Sequence, residues 1–243
     1  MNWSYLILIL LATLAGGLIP MLMKRTYANL SIYLLAFTGA FLFGIIIMHL
    51  LPEVYHELGH TAGIYIVLGF FLQVFLQQLS HGMEHGHTHI PGENHHHIAV
   101  MPLLLGLSIH AFMEGLPLGF KYDDQSALPS LMLGVAAHKV PEALTLMTVM
   151  IHAHKKKAEL WRILFVFAAV TPLAAILAAW MGNRFEVVSQ YLLYVVALVI
   201  GAFLHISTTI FYESGTKHHE LSGRKVMAIA AGLLLAFLTL IFE

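Results

Sequence analysis

Cysteine is absent from the 243-residue chain. Its absence excludes a disulfide framework, a metal site built on thiolates and a cysteine nucleophile. Charge is also scarce, since Asp, Glu, Lys and Arg make up only 10% of the residues, against about 25% in an ordinary soluble domain. With 12 Lys and Arg and a net charge of -1, the chain lacks the basic surface of a nucleic-acid-binding protein, so nucleic acid is excluded as a partner.

Apolar residues are abundant instead. They make up 59% of the chain, the mean hydropathy is +0.81, and polar breaks separate eight runs near the length of about 20 residues that a membrane-spanning helix needs. These runs are too long for barrel strands. We therefore predict an all-α integral membrane protein that forms a single transmembrane domain over 1–243 in the lipid bilayer. The predicted spans 1 to 8 cover 4–22, 31–51, 62–80, 99–120, 128–151, 160–181, 188–212 and 226–242.

Basic residues indicate the orientation of these spans, because cytoplasmic loops are enriched in Lys and Arg. With eight crossings, nine basic residues fall on one face and two, Lys121 and Arg184, on the other. This distribution predicts that both termini lie outside and that the loop at 81–97 lies in the cytoplasm. The nine residues are Lys24, Arg25, Lys155, Lys156, Lys157, Arg162, Lys217, Arg224 and Lys225.

A short sequence repeat links spans 2 and 7. Gly-Ala-Phe-Leu at 39–42 recurs at 201–204, and each copy is followed by a glutamate, Glu53 and Glu213. Spans 2 and 7 cross in opposite directions, as an inverted repeat of spans 1–3 and 6–8 around spans 4–5 would require. The alternative is coincidence, because these four residue types are common throughout the chain.

Spans 4 and 5 each carry a histidine and a glutamate near the middle of an apolar run. His110 precedes Glu114 by four residues, and His138 precedes Glu142 by the same interval. On a helix this spacing places both side chains on one face, one turn apart. Ionisable groups at that depth are costly and usually functional, although each pair alone could be a buried hydrogen bond.

If the two pairs face each other, they form a set of two imidazoles and two carboxylates. Such a set suits Zn²⁺, with Fe²⁺, Mn²⁺ and Cd²⁺ as further candidates. The two carboxylates would balance the charge of one divalent ion in a dry site. The sequence therefore predicts a metal site at His110, Glu114, His138 and Glu142. The metal is the substrate, and no cofactor is required.

These motifs resemble those of the ZIP (Zrt/Irt-like) divalent-metal transporters. The similarity rests on His-Ala-Phe-Met-Glu-Gly at 110–115 and His-Lys-Val-Pro-Glu at 138–142, and it extends to 49–53, to 201–213 and to a His-rich loop after span 3. It implies eight spans and carriage of divalent metal, foremost Zn²⁺, into the cytoplasm by alternating access. In that movement, spans 1, 4, 5 and 6 shift as a block against spans 2, 3, 7 and 8.

The chain departs from the pattern of family members that hold two metals. Where those members resemble one another in carrying Asn, Asp and Glu, this chain has Ala111, Lys139 and Thr171. The resemblance then implies one ion per site, with the Lys139 ammonium in place of a second cation. Glu142 is the nearest carboxylate partner for Lys139, so lysine and metal are expected to compete for one acid.

Further histidines could bind metal outside this site. The loop at 81–97 is expected to chelate metal weakly, unless it is only a solvated linker. At the outer end of span 2, His49, Glu53, His56 and His60 could attract cations or form an ordinary polar helix end. His205 and Glu213 in span 7 are pathway candidates of unknown reach. The loop histidines are His81, His85, His87, His89, His95, His96 and His97.

Two other functions compete with uptake. An integral-membrane zinc-dependent hydrolase would need an open coordination position and a general base, for which Glu114 or Glu142 could serve. A metal sensor would bind without flux. We expect a transporter, not an enzyme, in the plasma (inner) membrane of a prokaryote, and the sequence leaves open whether it forms a homodimer.

Overall fold

A computed structural model describes residues 3–22, 28–80, 100–119, 127–153, 155–213 and 222–241. Within these ranges the chain is almost entirely helical and contains no strand, so the predicted all-α membrane fold is confirmed. The helices are α1 (Trp3–Leu22), α2 (Ala28–Ile45), α3 (Leu51–Leu58), α4 (Thr61–Ser80), α5 (Val100–Gly119), α6 (Ala127–His152), α7 (Lys157–Arg184), α8 (Glu186–Glu213) and α9 (Gly223–Thr239).

Eight of these helices follow the predicted spans in chain order, with α3 as an extension of span 2. Six stretches among the described residues are long and apolar enough to cross a membrane by themselves. Helix α9 has only 17 residues, and α6 carries His138, Lys139 and Glu142 at its centre. Eight crossings therefore stay a prediction. The six stretches are Trp3–Leu22, Ile32–Leu58, Thr61–Gln78, Val100–Gly119, Lys157–Arg184 and Tyr191–Thr209.

The second span is longer than predicted. A π-helical turn at Ile46–Leu50 joins α2 to α3, and the helix continues to Leu58 before Gly59 ends it with a positive φ of 55°. The predicted span ended at 51 because polar residues follow it in the sequence. In the structure these residues belong to α3, which exposes Tyr55, His56 and Glu57 while burying Val54.

Close helix pairs build the bundle, and small residues allow the approach. Helix α1 packs on α6, α5 on α7, α4 on α8 and α2 on α9. In the α5–α7 pair, Gly115 lies against the backbone of Thr171 and Gly119 against the backbone of Ala175. Contact positions thus advance together along both helices, so α5 and α7 run parallel.

Two further pairs show the same direction. Tyr65 of α4 contacts Tyr194 of α8, and twelve residues later Gln77 contacts His205. In the α2–α9 pair, Gly232 lies against Phe37, while His49 bonds to Thr239 further along both helices. If successive spans cross the membrane in alternating directions, then spans 3 and 7, spans 2 and 8, and spans 4 and 6 each run in the same direction. The parallel pairs agree with this requirement.

The pairing also has the form that an inverted repeat would produce. Exchanging spans 1, 2 and 3 with 6, 7 and 8, and span 4 with 5, converts the α1–α6 pair into α5–α7 and the α2–α9 pair into α4–α8. The sequence repeat is compatible with this pattern and stays a prediction.

We expect the α5–α7 contact to tolerate no added side chain at Gly119. A Cβ there would collide with the Ala175 carbonyl oxygen and approach the Ala179 backbone nitrogen, and backbone cannot move aside as a side chain can. Gly119→Ala should destabilise the protein by about 2 kcal/mol, the usual scale of overpacking. Thermal unfolding in detergent measures the effect. Gly134→Ala is the matched control, because a Cβ there has no contact closer than 3.5 Å; an equal loss in both variants would contradict the prediction.

Candidate metal centre

Helices α5 and α6 place the four predicted ligands around one point. His110 and Glu114 occupy successive turns of α5, and His138 and Glu142 do the same on α6. All four side chains are at most 2% exposed. Each offers one ligand atom, and these atoms all lie within 4.8 Å of one another. Among the described residues, this group brings histidine and carboxylate ligands together as a metal site would require.

The distances within the cluster connect both helices. The Nε2 atom of His110 lies 3.2 Å from Oε1 of Glu114 and 3.8 Å from Oε1 of Glu142. The Nε2 atom of His138 lies 4.0 Å from Oε1 of Glu114. The two imidazole rings meet nearly edge to face, with centroids 6.1 Å apart. Two imidazole nitrogens therefore face one oxygen of each carboxylate.

Lys139 lies in the same site and is 1% exposed. Its ammonium donates to Oε2 of Glu142 over 2.5 Å and forms an ion pair with Oε2 of Glu114. It also lies over the ring of Phe167 in α7, 5.5 Å from the centroid, within the range of a cation–π contact. The predicted Lys139–Glu142 contact is present, and the contact to Glu114 on the neighbouring helix is additional.

Helix α7 fixes α5 beside the cluster. The hydroxyl of Thr171 donates to the carbonyl oxygen of Ala111 over 2.9 Å, one residue after His110. Gly115 lies directly against the Thr171 backbone. Two of the three positions at which the chain departs from the two-metal pattern thus contact each other and hold α5 on α7.

The other candidate residues lie outside this cluster. His49 bonds to Thr239 of α9 over 3.0 Å, and Glu53 is partly exposed on α3. His205 bonds to Gln77 of α4 over 2.6 Å and packs edge-on against Phe70. Glu213 ends α8, and its side chain is outside the described residues, as are all of the loop histidines at 81–97.

Sequence reasoning missed three partners that the structure reveals. Gln77, Thr239 and Phe167 each contact a predicted site residue from another helix. Gln77 carried a usable signal, since an amide within a span usually hydrogen-bonds to a neighbouring helix. Phe167 carried none, because one more phenylalanine in an apolar run is indistinguishable from packing.

The family profile and the relatives that match this chain are all described as zinc transporters. A family profile described as ZIP Zinc transporter matches residues 77–242. Zinc transporter ZIP9-B of Xenopus laevis is 28% identical over 195 residues, which cover 74% of this chain and 63% of that protein. Zinc transporter ZIP9 of Micropogonias undulatus is 30% identical over 162 residues, which cover 63% of this chain and 51% of that protein. The chain thus spans about half to two-thirds of the length of these relatives.

The profile match includes both His/Glu motifs and more than half of the chain. Together with the membrane-spanning helices, it makes the protein an integral membrane protein and confirms the resemblance of the motifs at 110–115 and 138–142. The chain belongs to the ZIP zinc transporter family.

Proposed function

We propose that the protein carries a divalent metal ion, foremost Zn²⁺, across the membrane into the cytoplasm. The ion binds His110, Glu114, His138 and Glu142 on its way, one ion at a time. The observation that carries this proposal is the convergence of four buried ligand atoms from two helices within 4.8 Å. Family membership supports metal as the cargo.

The donor set fits zinc better than a purely structural hydrogen-bond cluster. Two nitrogens and two oxygens form a complete tetrahedral set for Zn²⁺. The Oε1 atom of Glu142 is buried without a hydrogen-bond partner among the described residues. A buried carboxylate oxygen in that position is costly unless something binds it, and a metal ion at the cluster would do so.

The site is less suited to hydrolysis. A catalytic zinc keeps an open position for water and needs a separate general base. Here the four donors would close the zinc shell, and both glutamates would be occupied as ligands. The family consists of transporters, which also favours transport over the hydrolase alternative.

The proposed direction of transport rests on the family resemblance, and the proposed orientation of the protein rests on the loop charges. Nine basic residues on one face and two on the other support cytoplasmic placement of the loop at 81–97, with both termini outside. The relatives come from frogs and a fish, so the expected prokaryotic inner membrane remains a prediction from the sequence alone.

Purified protein in sealed vesicles loaded with a zinc-sensitive dye tests the proposal. External zinc should give a protein-dependent internal signal, because only a transporter moves the ion through the membrane. Binding without an internal signal would indicate a sensor. Zinc-dependent cleavage of an added amide or ester substrate, again without an internal signal, would indicate a hydrolase.

The His-rich loop is expected to modulate transport without supplying its binding site. The loop lies outside the predicted spans, so its loss cannot remove the four ligands. Replacement of 83–97 by a Gly/Ser sequence of equal length preserves the connection between α4 and α5. Uptake should persist with an altered dependence on internal zinc. Complete loss of uptake in a normally inserted variant would contradict this prediction.

A further inference from the structure

The two carboxylates of the cluster divide their oxygens between different partners. Oε1 of Glu114 and Oε1 of Glu142 lie toward His110, at 3.2 and 3.8 Å from its Nε2 atom. The Oε2 atoms of both glutamates instead contact the Lys139 ammonium. Each carboxylate therefore has one oxygen on the histidine side and one on the lysine side.

Three helices hold the ammonium in this position. Glu114 belongs to α5, Glu142 to α6, and Phe167 to α7. Lys139 is 1% exposed, so its charge has no path to bulk water and depends on these contacts for compensation. The two Oε2 atoms are accordingly expected to stay engaged by lysine.

Such engagement has a direct consequence for the metal. Lys139 and a metal at the histidine side would use different oxygens of the same carboxylates, so they need not compete for one atom. A carboxylate whose second oxygen is held by an ammonium favours offering a metal only its first oxygen, because bidentate binding would weaken the contact to the ammonium. Both glutamates would then bind through a single oxygen.

Resting on the proposed function, we propose that Lys139 is a positioning residue that selects the transported metal by fixing its coordination number. With one oxygen from each glutamate and one nitrogen from each histidine, the site provides four donors. Zn²⁺ accepts four donors in a tetrahedron. Mn²⁺ favours six, mostly oxygen, donors, and these four side chains could supply six only if both carboxylates became bidentate.

The ratio of zinc to manganese uptake isolates this effect. Replacing Lys139 with methionine removes a positive charge and should strengthen the binding of any divalent ion. Because Zn²⁺ and Mn²⁺ carry the same charge, that gain cancels in the ratio. A change in the ratio therefore reports the different coordination numbers that the two ions prefer.

We expect Lys139→Met to lower the zinc-to-manganese ratio by about tenfold, which corresponds to about 1.4 kcal/mol. The measurement is competitive uptake into vesicles at several ratios of the two ions. Lys155→Met is the control, because it removes a lysine that pairs with Glu159 at the surface over 3.1 Å. An unchanged ratio in Lys139→Met, or an equal fall in both variants, would overturn the proposal.

Zinc K-edge absorption on the wild-type protein tests the same proposal without any variant. The expected spectrum has four nitrogen or oxygen neighbours and lacks the short zinc–carbon distance of a bidentate carboxylate. Five or six neighbours with that distance would overturn the proposal even if Lys139→Met failed to fold. Zinc that neither binds nor crosses in wild-type protein would instead refute the proposed function. Normal uptake with a bidentate spectrum would refute only the role of Lys139.

Discussion

Replacement of either Glu114 or Glu142 by alanine should reduce metal uptake by at least about 100-fold, a loss of about 2.7 kcal/mol in the stabilisation of the ion. The two carboxylates supply two negative charges to a divalent ion and the Lys139 ammonium, in a site whose ligands are at most 2% exposed. With one carboxylate removed, the Lys139 ammonium and the metal would share a single negative charge, and an uncompensated buried charge is strongly destabilising. Dye-loaded vesicles measure uptake, and metal binding in detergent measures affinity.

Glu159→Ala provides the matched control for this loss. Glu159 lies at the start of α7, where it pairs with Lys155 at the surface, so its removal should leave uptake unchanged. Glu114→Gln and Glu142→Gln retain the side-chain shape and separate charge from packing. Wild-type transport by both alanine variants would refute the assignment of these glutamates as ligands.

The sequence predicted the parts of the site that depend on spacing within one helix. The four-residue intervals between His110 and Glu114 and between His138 and Glu142 placed each pair on one helical face, and the structure has them so. The pairing of Lys139 with Glu142 followed from the same geometry, because residues three apart are neighbours on a helix.

Contacts between helices could not be predicted in the same way. The contact between Lys139 and Glu114 depends on the distance between α5 and α6. Residue spacing within one helix carries no information about that distance. The bond from His205 to Gln77 likewise joins residues 128 positions apart. The π-helical turn at Ile46–Leu50 was not predicted either, because four of its five residues are apolar and continue the apolar run of α2.

The family resemblance implies two groups of helices that alternating access would move against each other. Helices α1, α5, α6 and α7 pack together, and α5 and α6 carry all four proposed ligands. Helices α2, α4, α8 and α9 pack in the pairs α2–α9, α4–α8 and α2–α8. Contacts of α2 with α6, of α4 with α5 and of α7 with α8 join the groups. At the first of these, a Cβ at Gly134 in α6 would lie 3.5 Å from Leu42 in α2.

Cross-linking these groups should stop transport. The chain has no native cysteine, so Leu42→Cys with Gly134→Cys introduces a single reactive pair across the boundary. A short membrane-permeant bis-methanethiosulfonate, which joins two thiols through disulfides and releases sulfinate, should reduce uptake to background because the ligand-bearing group can no longer shift. A reducing agent should cleave the disulfides and restore uptake. Tyr65→Cys with Tyr194→Cys is the control: these rings lie 4.8 Å apart in α4 and α8 of one group, and their cross-link should leave uptake intact. Full activity of the cross-linked Leu42–Gly134 pair would show that the ion passes without relative movement of the two groups.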